Sequence, residues 1–119
     1  MKKILVVEDN ELNMKLFLDI LKYQNYQTEE AVDGMEAYEK IKKNTYNLII
    51  LDIQLPKTDG FSMLKKLQEE KISLPPVIVA SACAMDTDKI RAKDLNVKKY
   101  ITKPIDINNF VTVVKEILA

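Results

Sequence analysis

The sequence predicts an α/β domain with a doubly wound (βα)5 architecture, a five-stranded parallel sheet of order 2-1-3-4-5 covered by helices on both faces. Three observations carry this expectation. Short apolar runs alternate along the whole chain with segments in which apolar residues recur every three or four positions. Three of the runs, Ile4–Val7, Leu48–Leu51 and Val77–Ala80, are apolar at every position, as strands are when helices cover both faces of a parallel sheet. Two further strand segments, 26–31 and 98–102, are polar and charged, which suits edges. Right-handed crossovers then put strands 1, 3 and 4 inside and strands 2 and 5 outside.

The elements follow in order. Strand 1 (3–8) leads into helix 1 (11–23), which carries Leu12, Met14, Leu16, Phe17, Leu18, Ile20 and Leu21, more apolar residues than one stripe buries. A face centred on Phe17 and Ile20 leaves Leu18 and Met14 toward solvent. Strand 2 (26–31) precedes helix 2 (34–43), which opens with a capping box of Asp33 and Glu36. Strand 3 (47–52) and strand 4 (76–81) flank helix 3 (60–71), for which Asp59 is the cap. A fourth helix (87–95) opens after Asp86, strand 5 spans 98–102, and the last helix (107–118) opens after Asp106. Its stripe of Ile107, Phe110, Val111, Val114, Ile117 and Leu118 reads as core. Asn25, Asn44 and Asn96 stand where helices end, and asparagine tolerates the left-handed cap conformation.

Composition bounds the function. The 119 residues suit one domain, 1–119, and 47% apolar with 30% charged residues is ordinary for a soluble globular protein. No stretch reaches the roughly 20 apolar residues of a membrane span, so membrane insertion is not expected. Eighteen basic residues balance eighteen acidic ones without clustering, which argues against direct nucleic-acid binding. Met1-Lys2-Lys3 leads into an apolar stretch too short for a signal peptide, so a cytoplasmic location is expected. The lone Cys83 forms no internal disulfide and reads as a small apolar filler. The absence of histidine removes Ser-His-Asp and Cys-His catalysis, and two glycines, Gly34 and Gly60, are too few for a P-loop or dinucleotide fingerprint.

What remains is a polar constellation at the strand ends. Asp52 closes the most apolar run of the chain, where a carboxylate is costly unless its charge is used. Strand 1 runs into Glu8-Asp9, strand 4 into Ser81 and strand 5 into Lys103-Pro104. In a parallel sheet these groups meet at one edge, and Glu8, Asp9 and Asp52 fall at the switch point between strands 1 and 3. Three such carboxylates hold protons or share a cation, and oxygen-only ligation favours Mg²⁺. Asp9 and Asp52 are expected to ligate directly, Glu8 through water, with the backbone carbonyl of Gln54 completing the set. Capping of helix 1 is the rival role of Asp9. Lys103 and Ser81 add a cation and a hydroxyl donor that a metal site alone does not need, and both suit a phosphoryl group carried by Asp52.

These residues, with Ala31-Val32-Asp33-Gly34, Leu55-Pro56, Asp59-Gly60 and Tyr100-Ile101-Thr102-Lys103-Pro104, give the chain its resemblance to the receiver domain of two-component response regulators, over essentially its whole length. Within that family, Val7–Phe17 and Asp52–Pro56 resemble the DivK-type single-domain cell-cycle regulators. The resemblance implies a flavodoxin-like, CheY-like fold and Mg²⁺-dependent phosphorylation of Asp52 by a sensor histidine kinase or a histidine phosphotransfer protein. It also implies a switch in which Ser81 moves toward the phosphoryl group and Tyr100 turns inward, remodelling the face of helix 4, strand 5 and helix 5. Tyr100 has a rival role as an ordinary edge-strand aromatic. That face would engage a downstream protein target, with Val113, Met85 and Tyr100 on it and the chain a monomer or weak dimer. Helix 1 packs against the histidine-bearing bundle in receivers, which makes Met14 and Leu18 the expected docking residues.

Two other classes fit less well. A Mg²⁺-dependent phosphohydrolase with an aspartate nucleophile needs a second carboxylate two residues after it, where this chain has Gln54. A phosphorylation-independent scaffold typically loses the acidic pair or the lysine, and this chain keeps both. The expected activity is therefore self-phosphorylation and self-dephosphorylation, not turnover of an external substrate.

Overall fold

Strands β1 (Lys3–Val7), β2 (Gln27–Ala31), β3 (Leu48–Asp52), β4 (Val77–Ser81) and β5 (Val97–Thr102) form one parallel sheet in the order β2-β1-β3-β4-β5. The computed structural model describes residues 2–52, 60–81, 97–102 and 105–119. Helices α1 (Glu11–Tyr23) and α2 (Gly34–Lys43) match the periodic segments of the sequence, and α3 (Gly60–Glu69) ends two residues short of the expected 71. The helix expected over 87–95 lies outside the described residues, so the C-terminal helix is α4 (Ile107–Leu118).

Strand alternation divides the core into two layers. Leu5, Val7, Ile49, Leu51, Val77 and Val79 pack with Ala37, Ile41, Met63, Leu64 and Leu67 of α2 and α3. Ile4, Val6, Leu48, Ile50, Ile78 and Ala80 pack on the other face with Phe17 and Leu21 of α1 and Phe110 and Val114 of α4. Burial on both faces is why these three strands tolerate no polar position between their first and last residues. At the outer edge, Val77 pairs with Val97 but Ile78 pairs with Lys99, so β5 carries one extra residue there. Such a bulge twists an edge strand, and the exposed Lys98 and Lys99 discourage further pairing.

Caps fix the helix starts. Asn10, not Asp9, caps α1, its Oδ1 accepting the Asn13 N–H at 3.0 Å. Asp33 Oδ1 accepts the Glu36 N–H at 2.8 Å, and Asp106 Oδ1 accepts the Asn109 N–H at 3.1 Å. At the other ends, Asn25 adopts φ 67° as expected, while the Asn25 and Tyr26 N–H groups donate to Lys22 and Leu21 carbonyls. Asn44 differs from expectation: it is extended, at φ −131°, and caps α2 by donating from Nδ2 to the Lys40 carbonyl. Asn96, Asp59 and Asp86 lie outside the described residues.

Two helix faces are corrected. The sequence places Met14 and Leu18 toward solvent, yet they are only 5% and 8% exposed. The buried arc is Met14, Phe17, Leu18 and Leu21, the i, i+3, i+4, i+7 pattern of a sheet-facing helix. Leu12 and Leu16 form the outward stripe instead, with Leu12 80% exposed. In α4 the same shift buries Val113 with Phe110 and Val114 and leaves Ile107 about half exposed.

Candidate functional site

β1 and β3 are neighbours, with Val7 in register with Leu51, so Glu8 and Asp52 leave the sheet side by side at its carboxyl edge. The Glu8 N–H donates to the Ala31 carbonyl at 3.0 Å, holding that residue to β2. Its Oε2 accepts the Asp9 N–H at 3.1 Å, which turns the chain toward α1. One carboxylate oxygen from each of Glu8, Asp9 and Asp52 lies within 4.8 Å of the others. Glu8 and Asp52 are 1% and 6% exposed, whereas Asp9 faces solvent. Because Asn10 does the capping, Asp9 is left to the cluster.

Bringing three carboxylates this close in a partly buried crevice is unfavourable through like-charge repulsion and desolvation. An all-oxygen donor set suits a hard divalent cation, and the single exposed member leaves a side open to water and ligand. Beside it runs a crevice floored by Met14 and Leu18 and rimmed by Lys15, Lys22, Glu30 and Val32.

β4 ends at Ser81, which is in register with Thr102, the residue before Lys103 in the sequence. Tyr100 is half-buried, in register with Val79, and packs against the α2/α3 layer of the core. Gln54, Lys103, Cys83, Met85 and the side chain of Ser81 lie outside the described residues.

The sequence reading missed an apolar surface. Leu12, Leu16 and Tyr23 are exposed along α1, and a groove lined by Ile20, Tyr23, Ile107 and Val111 separates α1 from α4. Leu12, Leu16 and Tyr23 themselves repeat at helical spacing, so the signal was present as a second stripe competing with the buried one.

The sequence model of the response regulator receiver domain matches residues 4–115. The chain belongs to this family. The polar-differentiation response regulator DivK of Brucella ovis is 38% identical over 118 residues, covering 98% of this chain and 96% of DivK. A CheY-like receiver domain protein from Methanospirillum hungatei JF-1 superposes with a TM-score of 0.91 at 26% identity, covering 99% of this chain and 94% of that one. The response regulator TrrA of Thermotoga maritima, solved in complex with Mg(2+)-BeF, gives a TM-score of 0.86 at 26% identity, covering 99% and 100%. This is therefore a receiver domain of two-component signalling with the CheY-like fold, similar over nearly its whole length to DivK. Its acidic pocket is formed by Glu8, Asp9 and Asp52. Among the described residues, no helix is long and apolar enough to cross a membrane.

Proposed function

We propose that residues 1–119 act as one phosphorylation-controlled switch in which Asp52 is the acceptor. The observation that carries this reading is the convergence of the Glu8, Asp9 and Asp52 oxygens within 4.8 Å, at the end of a strand otherwise wholly apolar. An Asp52 carboxylate oxygen attacks the phosphorus of a phosphohistidine; the P–N bond breaks, and its electron pair leaves with the imidazole. Glu8, Asp9 and Asp52, with the Gln54 carbonyl, would hold Mg²⁺. When bound, that ion neutralises charge on the phosphoryl oxygens. Support for magnesium comes from the all-oxygen donor set and from the Mg(2+)-BeF complex of TrrA. Lys103 pairs with the transferred group and Ser81 donates a hydrogen bond to it, while Tyr100 reports the change to the face of β5, α4 and the segment 87–95.

The donor is a sensor histidine kinase or a histidine phosphotransfer protein, and it docks on the outer stripe of α1, Leu12 and Leu16. Met14 and Leu18 contribute only as the floor of the crevice beside the carboxylates. The output is a contact with another protein, made from the cytoplasm and without nucleic acid or membrane insertion, by a monomer or weak dimer.

Intact-mass measurement after incubation with Mg²⁺ and a small phosphodonor tests the reading. Wild type should gain one labile phosphate that requires Mg²⁺ and is absent from Asp52→Ala. Equal labelling of the variant, or none of wild type, would sink it.

A further inference from the structure

We infer that Gly60, the first residue of α3, is a positioning residue for the acidic pocket, acting through Leu51. The inference rests on the reading of that pocket as a Mg²⁺ site. A Cβ built on Gly60 lies 3.2 Å from Cγ, Cδ1 and Cδ2 of Leu51 alike, so α3 starts closer to β3 than a residue with a side chain allows without displacing Leu51. Leu51 has little room to move. It is fully buried, in register with Val7 of β1 on one side and Val79 of β4 on the other. Val7 and Leu51 are the residues immediately before Glu8 and Asp52. Pressure on the Leu51 side chain is therefore delivered to the two strands whose next residues carry the buried carboxylates. Metal sites respond steeply to such supporting contacts, because an ion that takes several oxygens at fixed distances loses affinity when their separations change.

The test is calorimetric titration of the folded chain with MgCl₂, beside thermal unfolding without the metal. Gly60→Ala should weaken Mg²⁺ binding about tenfold, the scale seen when a ligand's support is removed. Replacing glycine by alanine in a helix favours the helix, so its thermal midpoint should fall little. Leu67→Ala, which empties the same layer farther along α3, should lower the midpoint strongly and leave Mg²⁺ affinity near wild type. Adding Leu51→Val to Gly60→Ala shortens the obstructing side chain and should recover most of the lost affinity. Wild-type affinity in Gly60→Ala overturns the inference, as does a folded double variant that binds no better than Gly60→Ala. If Gly60→Ala does not fold, a folded double variant binding about tenfold more weakly than wild type overturns it as well. Asp52→Ala separates the two levels of argument: loss of binding there with none in Gly60→Ala removes the positioning role and keeps the metal site. A wild type that binds no Mg²⁺ removes both.

Discussion

Lys71 closes α3 at φ 63°, in the left-handed region where a Cβ crowds the following carbonyl. Its N–H and that of Ile72 donate to the Gln68 and Leu67 carbonyls at 3.0 Å each, the same paired closure that Asn25 makes after α1. Asparagine at such a position can be read from a sequence, because its short polar side chain makes the conformation tolerable. Lysine offers no such mark, and the sequence accordingly ran α3 on to 71, past its observed end at Glu69. Lys71→Gly should therefore stabilise the protein by about 1 kcal/mol, read as a higher urea midpoint at unchanged slope. Asn25→Ala should cost about the same. The site was legible for a related reason: a carboxylate after four apolar residues stands out against its cost. Asp9, expected as a ligand from the sequence, loses its rival role because Asn10 takes the cap of α1.

Helices and strands show which pattern wins when two compete. In α1, Met14, Phe17, Leu18 and Leu21 form one stripe and Leu12, Leu16 and Tyr23 another; hydrophobicity alone does not rank them. Contact with the helix beside it on the same sheet face does, since Phe17 packs on Phe110 of α4 with ring centroids 5.3 Å apart. Leu18→Ala should cost about 2–3 kcal/mol, whereas Leu16→Ser should stay within about 0.5 kcal/mol in the same denaturation series and instead slow phosphotransfer from a protein donor. The edge strand β2 holds a second readable device. Glu29 accepts from the Tyr46 hydroxyl at 2.8 Å and pairs with Lys3 Nζ at 2.5 Å. The Lys3 ammonium holds the Glu29 carboxyl below the ordinary range; burial opposes this, and Tyr46 assists. A depressed carboxylate contributes stability above its unfolded value, near 4.5, that is lost as pH falls through the folded value. Burial first, then Glu29, pushes the Tyr46 hydroxyl up, so its contribution is present below the unfolded value of 10.0 and is lost only in strong alkali. Glu29→Gln should cost about 1 kcal/mol at neutral pH, and its urea midpoint should converge on wild type as pH falls below the unfolded value and through the lowered folded one.

At the scale of the molecule, the fold concentrates cost where the chemistry is. The topology was legible because each level agreed: apolar strands for the interior, charged strands for the edges, and right-handed crossovers between them. The carboxyl edge breaks that agreement. Two buried carboxylates and a third beside them crowd the switch point between the apolar layers. Such a cluster makes the metal-free protein less stable than its core permits and ties its stability to whatever neutralises it. Asp52→Asn removes one of three like charges while keeping shape, so without metal it should be more stable than wild type by about 1–2 kcal/mol. Adding Mg²⁺ to about one hundred times its dissociation constant should raise wild-type stability by about 2.7 kcal/mol and move the variant little. The two unfolding curves would then exchange order on addition of the ion. If Asp52→Asn is destabilised without metal, or responds to Mg²⁺ as wild type does, Asp52 does not supply the charge that the ion neutralises.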